Sequence, residues 1–264
     1  MSIIGGLICH NGIVIASDSA ATTEIDRSVA SVHEMRKIEI VERRLVLAVA
    51  GHSGVARQYH DAMSKLIKEV DIDALSDNAL MQQIVQYKGD AISVQLAVAK
   101  RRADLAGTAF DAKSTAAESL VAIRTTNGPR LFHVDEYMNP DVIVPESPFK
   151  IIGTGAVTTH AFTEYLRQQF LGPQPPDVGD GILTMLWAVR FAIATHARDV
   201  GGPPQITIVP SDASKEIQSV SAADLAEHQA ALDLAEGRLQ QLRLVIRGQG
   251  QEAVREELPE PPKQ

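Results

Sequence analysis

Apolar positions cluster in short runs at the start of the chain and recur at helical spacing further on. Ile3–His10 and Ile13–Ser17 are β-prone runs joined by Asn11-Gly12, the dipeptide that most strongly marks a tight hairpin. The second run delivers a lone carboxylate, Asp18. The polar stretch Ser19–Glu34 lacks clear periodicity and reads as a loop. Lys37–Val41 alternates and Leu45–Ala50 is apolar, so Glu42-Arg43-Arg44 reads as a second hairpin turn. Gly51 then suits a strand-to-helix turn where backbone approaches something closely.

Val55, Tyr59, Met63, Leu66, Ile67 and Val70 recur at helical spacing and predict a helix over Val55–Val70. Asp71–Ser76 breaks it. A second helix runs from Asp77 to about Leu105, with Leu80, Ile84, Tyr87, Ile92 and Leu96 on its apolar face. Gly107–Thr115 is a linker. Leu120–Arg124 and Arg130–Val134 pair around Asn127-Gly128-Pro129, and Val142–Val144 leads to a strand at Phe149–Ile152. Gly153-Thr154-Gly155 opens a helix to Phe170. Leu171–Gly181, rich in Pro and Gly, ends it. Another helix covers Ile182–Arg198, and Gln205–Val209 reads as a strand.

The last portion differs. Ser221-Ala-Ala-Asp224 resembles a capping box with Asp in place of Glu or Gln. Leu225, Leu232, Leu239 and Ile246 then fall seven apart, with Ala235 and Leu242 at companion positions. That stripe is coiled-coil-like and suits either a helix packed on its own domain or a subunit contact. Residues 249–264 read as a disordered tail. The expected division is 1–212, 213–248 and 249–264. Strands followed by two helices, twice over, suit two packed sheets with helices outside.

Composition narrows the class. The 264 residues, 45% hydrophobic and 22% charged, are those of an ordinary globular protein with a sizeable core. A net charge of -8 argues against nucleic-acid binding. The single cysteine, Cys9, excludes an intramolecular disulfide, fits a reducing cytosol and reads as a buried structural thiol. No signal peptide is visible, and no apolar run reaches the ~20 residues that span a bilayer. The expectation is a cytoplasmic protein without membrane contact.

Ser2 follows the initiator Met, which is normally trimmed before a small residue. A freed α-amine has a pKa of about 7.7–8.0 and can act as a base near neutrality. It would stand beside a hydroxyl that it could deprotonate, directly or through a water. Lys37, at a strand start, could depress that amine's pKa, and Asp18 could hold the ammonium. Gly51 could supply an oxyanion-binding N–H. The same residues also read as a common second residue, a surface ion pair and a plain turn glycine. The eight histidines show no metal-ligand spacing. Gly153-Thr-Gly155 falls short of a dinucleotide or P-loop fingerprint, and Gly51-His-Ser-Gly54 lacks the spacing of a nucleophile elbow. No metal or cofactor is expected, and Trp187 reads as core.

Together these pieces resemble proteasome β-subunits and the related HslV peptidase. The likeness rests on an N-terminal hydroxyl residue, Asp18-Ser19-Ala20-Ala21-Thr22, Lys37 in Arg36-Lys37-Ile38-Glu39-Ile40, and Ala50-Gly51. Gly128–Asp135 and Ile151-Ile-Gly-Thr-Gly155 extend it over roughly residues 2–210. The resemblance implies an N-terminal-nucleophile hydrolase, a self-compartmentalising peptidase with a four-layer αββα sandwich, here with a C-terminal helical extension. Ser2 would be the nucleophile, its α-amine the base, Lys37 its tuner, Asp18 the orienter and Gly51 the oxyanion donor. Thr154 and Asp199 match family residues near the amine. Ala21, Met35, Val49 and Ser53 would line the substrate pocket. Implied partners are polypeptide substrates, a homo-oligomeric ring and an ATP-dependent unfoldase. Serine replaces the family's usual threonine, the serine after the later aspartate is absent, and the C-terminal helix exceeds the usual subunit. Two alternatives keep the fold: an inactive ring or scaffold subunit, and an amidohydrolase of small amides.

Overall fold

The computed structural model describes residues 2–25, 28–110, 116–172 and 174–246. They fall into two compact units, divided between Val220 and Ser221. The larger unit is built on two five-stranded sheets. In the first, β1 (Ile3–Cys9), β2 (Gly12–Ser17), β10 (Phe149–Gly153), β11 (Gln205–Pro210) and β12 (Gln218–Ser219) run in the order β10-β1-β2-β11-β12. The second is a meander in chain order of β5 (Ile38–Val41), β6 (Leu45–Ala50), β7 (Glu118–Thr125), β8 (Gly128–Val134) and β9 (Pro140–Ile143). Every pairing is antiparallel. The turn falls one residue earlier than Asn11-Gly12 suggests: His10 and Asn11 form it, and Gly12 already begins β2, with Cys9 opposite Gly12 and Ile4 opposite Ser17.

Side-chain alternation decides what each strand face buries. Ile4, Ile13, Ile15 and Val209 of the first sheet share a core with Val46, Ala48, Ala50, Leu120 and Leu131 of the second. The other face of β6, Leu45, Leu47 and Val49, packs with Tyr59 and Met63 of α1 (Ser53–Glu69) and with Leu80 and Ile84 of α2 (Asp77–Ala106). On the first sheet, α4 (Val178–Thr195) lies along β1 and β2, and α3 (Ala156–Leu166) packs on α4 and β10. A π-helical turn, Arg167–Leu171, extends α3. By length and composition α4 is apolar enough to cross a membrane, but here it buries Ile182, Met185, Leu186, Val189 and Ala192. Cys9 is buried under the same helix, and burial together with the charges of Asp177 and Asp180 pushes its thiol up to about 12. A thiol kept protonated that firmly is a packing residue.

The expected loop at Ser19–Glu34 is instead a separate two-stranded hairpin, β3 (Ala20–Ile25) and β4 (Ser28–Glu34), with an irregularity at Thr23/Glu24. Its Thr, Val and Ile content favours extended backbone, and the ladder needs no apolar alternation to form. The strand β12 also escaped sequence reading, being two residues long. In the smaller unit, α5 (Ala222–Ile246) begins at Ser221, whose Oγ accepts the Asp224 N–H at 3.1 Å. The Asp224 carboxylate takes the Ser221 hydroxyl at 2.7 Å, so the cap is closed through side chains. The tail expected over 249–264 lies outside the described residues.

Candidate active site

Asp18 is fully buried and accepts three donors from three chain segments. Its Oδ1 receives the Ile3 N–H at 3.0 Å and Lys37 Nζ at 2.7 Å, and its Oδ2 receives the Gly201 N–H at 3.1 Å. A carboxylate is tolerated in the interior only when paired and hydrogen-bonded in this way. Lys37 is 4% exposed; burial pulls its pKa below the usual lysine value, and the hydrogen bond and charge of Asp18 oppose that pull. The backbone beneath Lys37 is clamped by Gln205 of β11, whose Oε1 accepts the Lys37 N–H at 3.0 Å while its Nε2 donates to Met35 O at 2.9 Å.

Ser2 precedes β1 and is 8% exposed. Its carbonyl accepts the Thr154 N–H at 2.8 Å, and the next amide, that of Ile3, is held by Asp18. The peptide group between Ser2 and Ile3 is therefore held at both its carbonyl and its N–H. A cavity of about 470 Å³ opens at Ser2, walled also by Gly51, Glu118, Gly153 and Thr154. Gly153 has φ +90° and stands so close to Ser2 that a Cβ there would lie 2.2 Å from the Ser2 carbonyl oxygen. Gly153→Ala is expected to lower stability by roughly 1–3 kcal/mol from backbone strain alone and to shift Ser2, measurable by urea unfolding; unchanged stability would contradict this contact. At Gly51 (φ +147°) a Cβ would come within 2.7 Å of Ala117 Cβ.

The structure thus brings Ser2, Gly51 and Thr154 to one cavity, with the Asp18–Lys37 pair joined to the Ser2–Ile3 backbone. Asp199 is not on the cavity wall: its N–H donates to His196 O at 2.8 Å, and it is Gly201, two residues on, that reaches Asp18. None of Ala21, Met35, Val49 and Ser53 walls the cavity. Val49 is drawn into the core under α1 because Ala48 and Ala50, its neighbours along β6, take the face toward the other sheet. Met35 is half-buried and engaged through its carbonyl, Ala21 lies on β3, and Ser53 opens α1, exposed.

Sequence reasoning passed over Gln205, Gly201, Glu118 and His133. Glu118 Oε1 lies 2.9 Å from His133 Nε2, and Glu118 Oε2 accepts the Gly153 N–H at 3.1 Å. A second buried cation also escaped notice. Lys88 of α2 is fully buried, with Nζ 2.5 Å from Ser119 Oγ and 4.3 Å from the centre of the Tyr59 ring. Its position four residues beyond Ile84 and four before Ile92 was the available signal, since that spacing marks one helix face.

No protein-family model and no curated protein matches the chain. Solved structures do. Anbu from Hyphomicrobium sp. strain MC1 superposes with a TM-score of 0.62 at 17% identity, over 91% of this chain and 96% of that one. Anbu from Pseudomonas aeruginosa, described as a helical assembly, gives 0.65 at 18%, over 99% and 98%. Anbu from Yersinia bercovieri, described as an ancestral β-subunit, gives 0.63 at 15%, over 98% of both. The chain has the fold of Anbu. The resemblance read from the sequence pointed to proteasome β-subunits and HslV; the structural neighbours support a proteasome-like fold without singling out either. The match to Pseudomonas Anbu spans nearly the whole of both chains. It therefore includes the C-terminal helix that exceeds the usual proteasome subunit.

Proposed function

We propose that the chain is an N-terminal-nucleophile hydrolase that cleaves peptide bonds with Ser2 Oγ once Met1 is removed. In this reading the Ser2 α-amine takes the Oγ proton, directly or through a water, as Oγ attacks the scissile carbonyl carbon. The Gly51 N–H receives the oxyanion. The protonated amine returns its proton to the leaving amine, and water then hydrolyses the acyl-enzyme. The Lys37 ammonium disfavours a charged amine nearby and so keeps it basic and neutral near pH 7, and Asp18 holds Lys37 in place. Thr154 secures Ser2 through its carbonyl.

One observation carries the proposal: the Asp18 carboxylate simultaneously holds the Lys37 ammonium and the amide directly after Ser2. That ties a buried charge pair to the first backbone unit of the chain, where a terminal amine would act. The four-layer αββα sandwich belongs to the same reading, supported by the shared core of the two sheets and the helix pair packed on each. So does association with further copies of the chain, as in the helical assembly described for Pseudomonas Anbu. A subunit that only builds such an assembly is the competing reading, and one experiment separates them. Intact mass of the purified protein is expected to show loss of one Met residue, and a serine-reactive β-lactone is expected to add once, on Ser2. A retained Met1 with no adduct would overturn the hydrolase.

A further inference from the structure

The cavity straddles two sheets. Ser2 precedes β1, Gly153 ends β10 and Thr154 follows it, all on one sheet's edge of the cavity, whereas Gly51 follows β6 of the other sheet. A nucleophile and an oxyanion donor on separate sheets require those sheets to keep a constant offset. Apolar packing supplies most of the contact between them, and packing of that kind is non-directional. Fixing the offset takes directional hydrogen bonds. On the Lys37 side, the Asp18 and Gln205 contacts do this.

At the cavity itself Glu118 provides a polar link. It begins β7 directly opposite Ala50 in the ladder, next to Gly51. Its Oε2 crosses to the other sheet and accepts the Gly153 N–H at 3.1 Å. Its Oε1 meets His133 Nε2 at 2.9 Å, and His133 is 6% exposed, on the neighbouring strand β8. Gly153 is the last β10 residue paired with β1, opposite Ile3. The next residue, Thr154, donates to the Ser2 carbonyl. A carboxylate anchored on the Gly51 side therefore holds the turn that lies against Ser2.

We propose that Glu118, oriented by His133, is a positioning residue of the Ser2 site, setting the distance between the nucleophile's backbone and the Gly51 N–H by binding Gly153 across the seam. The proposal deepens the hydrolase reading and rests on it for its catalytic consequence, but its structural content stands apart from activity. Glutamine keeps an acceptor for Gly153 and a second polar group for His133. Alanine removes both.

The test compares E118A and E118Q with the unmodified protein in two readouts. The first is amide hydrogen exchange of the peptide covering residues 149–156, with urea midpoints as a check on global stability. Exchange at Gly153 and Thr154 is expected to accelerate at least tenfold in E118A and less than threefold in E118Q. The second is turnover of a peptide amide substrate, where E118A is expected to lower kcat at least tenfold with KM changed less than twofold, and E118Q to restore kcat to within threefold. Equal exchange in E118A and the unmodified protein overturns the positioning role, as does an E118Q as slow as E118A. If no variant, nor the unmodified protein, turns substrate over, the hydrolase reading fails while the exchange result still decides for or against Glu118.

Discussion

Lys37→Met is expected to lower kcat on a peptide substrate by roughly 10²–10⁴-fold, the range associated with losing a positioned acid–base function, while leaving the protein folded. Asp18→Ala is expected to do something different. It leaves the Lys37 ammonium buried without its carboxylate, a change that costs about 3–5 kcal/mol in comparable settings. The asymmetry follows from the hydrogen bonds. Without Lys37 the buried Asp18 carboxylate loses its counter-ion, at a similar cost of about 3–5 kcal/mol, but still holds the Ile3 and Gly201 amides. Asp18→Ala in addition takes the acceptor from those two N–H groups, at about 1–3 kcal/mol each. Urea unfolding and turnover, measured on both variants, test the pair. Asp18→Ala as stable as Lys37→Met would refute the structural half. A Lys37→Met enzyme within tenfold of the unmodified rate would refute the catalytic half.

The second large effect concerns Lys88, whose partner Ser119 follows the cavity residue Glu118. Complete burial drops the Lys88 pKa from 10.5 to about 7, with the charges of Asp135 and Glu118 opposing the drop. The folded state therefore binds this proton less tightly than the unfolded chain does. Between about pH 7 and 10.5 the unfolded chain is the more protonated, so this residue's contribution to stability rises with pH across that window. Below about pH 7 the full penalty of burying the ammonium applies. A shift of that size corresponds to about 5 kcal/mol, partly offset by the Tyr59 ring beneath the ammonium. Lys88→Met removes the penalty but orphans the Ser119 hydroxyl, at about 1–3 kcal/mol. With that cation–π contact also lost, the variant is expected to be roughly 1–3 kcal/mol more stable at pH 6 and less stable than the unmodified protein near pH 10. Urea unfolding at pH 6, 8 and 10 measures the crossing; a pH-independent difference would show that Lys88 does not titrate in this range.

Local rules made much of the chain legible. Asn11-Gly12 marked the hairpin between β1 and β2, although the turn itself sits one residue earlier, on His10-Asn11, and the short apolar runs at Leu45–Ala50 and Leu120–Arg124 are central strands. The helices of the larger unit were legible to within a few residues, because 3.6-residue periodicity survives without knowledge of partners. The hairpin at Ala20–Glu34 was not, since its pairing is carried by backbone hydrogen bonds and its side chains show no apolar alternation. The family resemblance placed Val49 in a substrate pocket, whereas it is the next residue, Ala50, that lines the cavity. On a strand the neighbour of an inward residue points the other way, and Val49 went to the core under α1.

By itself the sequence determined the elements, the turn chemistry and the residue types available for a nucleophile, a charge pair and an oxyanion donor, because each depends on residues close in the chain. Only the tertiary structure decided which of them meet. Asp18 gathers Ile3, Lys37 and Gly201 from segments up to 183 residues apart, and Glu118 reaches Gly153 from another sheet. Local sequence patterning does not encode such meetings. They follow from how two sheets stack, and the stacking is set by apolar faces whose alternation names a side but not a partner.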